Sequence, residues 1–215
     1  MKTITKTVYT YKELKEVDKP NSVERAAQWL RNYNTQEDWW WAVYTDWKQA
    51  LTQIGFENAD ISFSGFSCQG DGASFTANIN LEKLVDFLVK DTPPSDHFND
   101  DLRPWVVHKC GKPTNKAYKR LQLLGEYLGE HAVIRTDRHY SHENTCDTRL
   151  SVGGAAKHVY ALVSQLRDDA EDLRVRLCKA IYDDLENTYE YLTSDEEIEE
   201  LEFMFDINGR LEQCS

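Results

Sequence analysis

Apolar and polar residues alternate on both sides of a Gln69-Gly70-Asp71-Gly72 turn in the stretch Asp60 to Ile79, which reads DISFSGFSCQGDGASFTANI. Ile61, Phe63 and Gly65 fall on one face of the first run, with Ser62, Ser64 and Phe66 on the other. In the second run Phe75, Ala77 and Ile79 alternate with Ser74, Thr76 and Asn78. A period of two marks a half-buried strand, so the stretch predicts an antiparallel hairpin. Gly70 and Gly72 offer the positive φ angles that a short connection needs.

Helical spacing dominates elsewhere. Thr10 and Glu13 are placed as a capping box for a first short helix, which Lys19-Pro20-Asn21 interrupts. Asn21 or Ser22 then caps a helix to about Tyr33, with Ala26, Ala27, Trp29 and Leu30 on its apolar side. Thr35 opens the next, with Asp38 in its first turn, where an acid favours the helix start. Trp40, Val43 or Tyr44, Trp47, Leu51 and Ile54 line its apolar face as core, and Gly55 stops it. Asn80 caps a helix from Leu81 to Val89. From Lys90 to Pro113 the chain reads as loop with a short insert at Pro104 to Val107, and Thr114 caps a helix through about Gly129.

His131 to Thr136 predicts a strand and Glu143 to Val152 its antiparallel partner. Val159, Val163, Leu166, Ala170, Leu173, Leu177, Ile181, Leu185, Tyr189 and Leu192 then recur every three or four residues, the pattern of one long amphipathic helix. Its length exceeds what a small core needs, so a bend or a dimer contact is expected. Ser194 and Glu197 form another capping pair, and Phe203 to Leu211 reads as a final strand with an Asn-Gly turn. The expected architecture is α+β: a small antiparallel sheet packed with several helices, in one domain over 1–215. An acidic helical region, 155–203, packs on that domain or extends from it.

Composition narrows the classes. The chain has 215 residues with 12% aromatics, enough for a real core. No apolar run approaches the ~20 residues of a membrane span, and the N-terminal stretch lacks the apolar segment of a secretory signal. The five cysteines (Cys68, Cys110, Cys146, Cys178, Cys214) are odd in number and form no C-x-x-C, the pattern of free thiols in a reducing cytoplasm. The net charge of −12 is concentrated, since Asp168 to Asp206 holds 15 acids and 3 bases. Such a surface disfavours nucleic acid and suits a basic partner protein.

Three constellations are candidates for chemistry. The hairpin turn could present Ser64, Gln69, Gly70, Asp71, Gly72 and Ser74 to a ligand. The segment Arg135 to Asn144 holds two histidines, two arginines, a tyrosine and two acids, types that move protons and hold phosphate in metal-independent nucleases. His139, His142, Glu143 and Asp71 are its candidate catalytic groups; extended backbone would put His139, Ser141 and Glu143 on one face. The ligand types His108, Cys110, His139, His142 and Cys146 match no zinc module in their spacing, so neither metal nor cofactor is expected. Third, Asp168, Asp169, Glu171, Asp172, Asp183, Asp184, Glu186 and Glu190 form an acidic array along the long helix, which would face a basic surface as DNA phosphates do.

Several of these segments, in order, resemble a family of small phage and prophage proteins, some labelled antitoxin-like. The signature is SGF-x-SQGDGASF, here Ser64, Gly65, Phe66, Gln69, Gly70, Asp71, Gly72, Ala73, Ser74 and Phe75. A His-Tyr-x-His-Glu block follows as His139, Tyr140, His142 and Glu143, then a closing EFMFDINGRL. Cys68 stands where the family commonly has serine. The resemblance implies phage origin and action in a bacterial host cytoplasm. The leading expectation is a non-enzymatic accessory protein that binds and inhibits or modulates a host protein, with a defence-system protein as one candidate. The alternative is a small enzyme or binding protein for a nucleotide or phosphodiester, sited where the Gln69–Ser74 turn meets His139–Glu143.

Overall fold

The computed structural model describes residues 6–17, 19–36, 38–112, 115–122, 132–136, 141–150 and 157–212, and the architecture is α+β. The chain divides into two compact units, Ala42–Leu185 and the paired chain ends Met1–Trp41 with Glu186–Ser215. The seams at Trp41/Ala42 and Leu185/Glu186 both lie inside helices, so no loop or change of composition announces them, and the sequence reads as one domain over 1–215.

In the central unit, α3 (Trp41–Gln53) leads into β1 (Phe56–Phe63) and β2 (Ala73–Ile79). β3 (Ala132–Thr136) and β4 (Cys146–Leu150) complete a four-stranded antiparallel sheet in the order β1-β2-β3-β4. The hairpin forms, but its connection is not tight. The strands separate at the Phe63↔Ala73 pair, leaving a loop of residues 64–72, and positive φ falls on Gly65 (110°) rather than on Gly70 or Gly72. Buried Phe56 and Phe75 meet edge to face at 5.6 Å, on a shared face because the register shifts by one residue between Glu57 and Asp60.

Helices cover the sheet. Asn80 accepts from the Lys83 amide and starts α4 (Leu81–Val89), whose Leu84, Val85, Phe87 and Leu88 are buried. Where the sequence suggested only a short insert, α5 (Arg103–Cys110) buries Trp105 against Trp47 of α3, with ring centroids 4.7 Å apart. A short 3-10 turn (Lys116–Tyr118) and α6 (Lys119–Gln122) follow; the rest of the expected 114–129 helix lies outside the described residues. The long helix α7 (Lys157–Thr193) carries the expected stripe, with Leu166, Ala170, Leu173, Leu177, Ile181 and Leu185 buried in this unit.

The terminal unit is built on α1 (Tyr11–Lys15), α2 (Pro20–Asn34), the last turns of α7 and α8 (Asp195–Glu199). Thr10 and Glu13 close the capping box as expected. Pro20 occupies the first turn of α2, so Ser22 is no cap; it is buried beneath Gly209. Asp38, expected inside a helix, has φ of 71°, and α3 begins only at Trp41. The final strand reduces to two bridges on Phe205, to Tyr9 and to Leu211, around a turn in which Asp206 accepts from the Asn208 and Arg210 amides. Tyr11, Leu14, Ala26, Ala27, Leu30, Ile198 and Phe205 form the core of this unit.

No helix among the described residues is long and apolar enough to cross a membrane.

Candidate functional site

The loop after β1 is closed by its own side chains. Asp71 Oδ2 accepts from the Ser67 and Cys68 amides, each at 2.6 Å, which fixes the carboxylate inside the loop it belongs to. Ser64 Oγ accepts from the Gly72 amide at 3.2 Å and donates to the Ser141 carbonyl at 3.3 Å. Ser74 is only 2% exposed, with its Oγ 3.4 Å from that of Ser62. Asp71 and Ser74 are therefore engaged in local structure rather than held out for a ligand. Ser64, although bonded to Gly72 and Ser141, is exposed together with Gln69 and Gly70.

The turn does meet the histidine segment. A Cβ on Gly72 would sit 3.0 Å from His142 Cδ2 and 3.2 Å from its Cα, so the ring packs directly on glycine backbone. His142 precedes a 3-10 turn (Glu143–Thr145), which removes the strand alternation expected there; Glu143 and His142 are neighbours in space. His142 Nδ1 accepts from the Asn144 amide at 3.2 Å and lies 3.2 Å from Glu143 Oε2. His139 lies outside the described residues.

Beneath this turn sits a residue that the sequence reading did not select. Arg174 of α7 has a side chain only 1% exposed. Its Nε donates to Glu171 Oε2 at 2.9 Å, Nη2 pairs with Glu171 Oε1, and Nη1 donates to the Glu143 carbonyl at 2.8 Å. Burial opposes its charge, but the bonds to Glu171 prevail and hold it above the usual arginine value. Burial likewise pushes Glu171 up, yet bonds from Arg174 and Thr148 outweigh that and leave it below the usual carboxylate range. Cys178 lies 3.8 Å from Arg174 Nη1, and burial pushes its thiol up to about 12. Cys146 is also raised by burial and donates to the Phe75 carbonyl. These are inert thiols. A signal for Arg174 was present, since it falls four residues after Ala170 and four before Cys178 on the buried stripe.

The acidic array is wider than one face. At about 100° per residue, Asp168, Asp172 and Asp183 lie within about 60° of one another around α7, with Asp169 and Glu171 on their two flanks and Asp184 further round. Asp169 accepts from the Tyr118 hydroxyl, Glu171 from Arg174, and Asp184 from Trp47 Nε1 at 3.0 Å and from Lys109. Asp168 and Asp172 are exposed but pair with Arg167 and Arg176. Glu186 and Glu190 belong to the terminal unit. No group of three or more His, Cys, Asp or Glu among the described residues is arranged to hold a metal ion.

Residues 39–195 match the model of the family described as Domain of unknown function (DUF8835). The chain belongs to this family. The match takes in the 64–72 loop, the His142 turn and Arg174 together. No curated protein and no solved structure matches the chain.

Proposed function

We propose that this chain is a phage-encoded accessory protein that binds and modulates a protein of the bacterial host, in the host cytoplasm, through the acidic surface of its terminal unit. The observation that carries this reading is the division of charge. The terminal unit holds 16 acidic and 8 basic residues, so it bears most of the excess of −12 on the smaller part of the chain. Glu190, Asp195, Glu196, Glu200 and Glu202 are all exposed within it. Like-charged side chains at this density favour a basic protein surface and disfavour nucleic acid. Phage origin rests on the signature Ser64–Phe75 and on the His142–Glu143 block.

Capture with the tagged full chain from bacterial lysate tests the reading. One stoichiometric host protein is expected, and Glu190→Lys with Glu196→Lys and Glu200→Lys should release it. Retention of the partner by this triple variant would exclude the acidic surface as the interface.

A second reading, a small enzyme or binding protein for a nucleotide or phosphodiester, is favoured by the packing of His142 on Gly72 and by its 3.2 Å approach to Glu143. It loses Asp71, whose carboxylate is committed to the loop. A nucleotide that co-purifies with the chain and is lost on His142→Ala would support it over the first.

A further inference from the structure

Resting on the host-protein reading, we infer that Trp29, Tyr33 and Phe203 form the contact surface for a guanidinium-bearing segment of the basic partner. Trp29 and Tyr33 lie one turn apart on α2 and stack with centroids 5.4 Å apart and planes 15° from parallel. Phe203 closes the group edge-on, 4.9 Å from Trp29 and 4.6 Å from Tyr33. Trp29 and Phe203 flank the core of the terminal unit, and Tyr33 extends beyond it with 41% of its surface exposed. The result is a three-ring cluster within a single unit, with Tyr33 exposed and Trp29 and Phe203 half-buried behind it.

Its electrostatic setting selects the occupant. Glu202 adjoins Phe203 in the chain, and Glu200 lies three residues before it; both are exposed, and neither carboxylate is ion-paired among the described residues. Their neighbours differ: Asp195 is held by Arg31 and Glu199 by Lys15. Ring faces attract a cation, and the acidic excess of the unit complements its charge. A planar, weakly hydrated guanidinium stacks on such rings better than an ammonium does, so arginine is favoured over lysine.

Titration of the full chain with nona-arginine and nona-lysine peptides by calorimetry tests this. Nona-arginine should bind about threefold tighter than nona-lysine. Tyr33→Leu keeps apolar bulk but removes the ring, and should abolish the arginine preference with the melting temperature unchanged. Glu200→Gln with Glu202→Gln should weaken both peptides alike. Equal affinity for the two peptides, a preference that survives Tyr33→Leu, or no binding would each overturn the proposal. Loss of the preference with host capture intact removes only the platform; failed capture with the preference intact removes only the host-protein reading.

Discussion

Arg174 Nη1 donates to the main-chain carbonyl of Glu143 at 2.8 Å, joining the buried face of the long helix to the turn that carries His142. The same guanidinium forks onto Glu171, so all of its nitrogens are engaged. Replacing it by leucine leaves the Glu143 carbonyl and the Glu171 carboxylate without their donor. Arg174→Leu should cost about 3 kcal/mol, read as a lower denaturant midpoint in far-UV circular dichroism. Unchanged stability would show that water replaces the guanidinium there.

Glu171 gives the pair a pH dependence with a definite sign. Its folded-state value lies below the ordinary 4.5, so the stability it contributes is present above that value and is lost as pH falls through the lower folded value. Glu171→Gln should therefore destabilise at pH 7 by about 2 kcal/mol, less than for a fully buried pair because its side chain is 37% exposed. As pH falls below 4.5 and through the lower folded value, the variant and the parent should converge. A constant difference across the range would assign the effect to shape rather than charge.

Gly72→Ala probes the contact between loop and histidine. The new methyl meets His142 at 3.0 Å, so the ring must shift by a few tenths of an ångström at a cost of about 1 kcal/mol. The imidazole proton resonances should move while the rest of the spectrum holds. Gly70→Ala is the control, because nothing lies within 4 Å of a Cβ there.

Gly209→Ala addresses the terminal unit. Gly209 has φ of 71°, and an added Cβ would fall 2.0 Å from the Ser22 carbonyl oxygen. Backbone cannot yield by that amount locally, so a loss of at least about 3 kcal/mol is expected. Hydrogen exchange should accelerate at the Tyr9 and Phe205 amides, which bond to each other's carbonyls across the bridge.

Periodic burial was legible in the chain because it depends only on spacing. The stripe from Leu166 to Leu185, the alternation Phe75-Ala77-Ile79, and the caps at Thr10 and Asn80 rest on contacts within one element or between neighbours, and all are present. The contact of Gly72 with His142 is not of that kind: it joins residues 70 apart, and spacing offered it only as one alternative. What the sequence could not decide was which polar groups remain for a ligand. The turn sequence presents Asp71 as a ligand group, yet two amides three and four residues before it donate to its Oδ2. Spacing places Asp184 in an acidic array facing a partner, yet Trp47 and Lys109 reach it from helices far away in the chain. Arg174 on an apolar stripe looks like a flaw until Glu171 and the Glu143 carbonyl are placed around it. Hydrophobic periodicity is a local property that a sequence determines by itself, whereas satisfaction of buried charge depends on partners brought together by the tertiary fold.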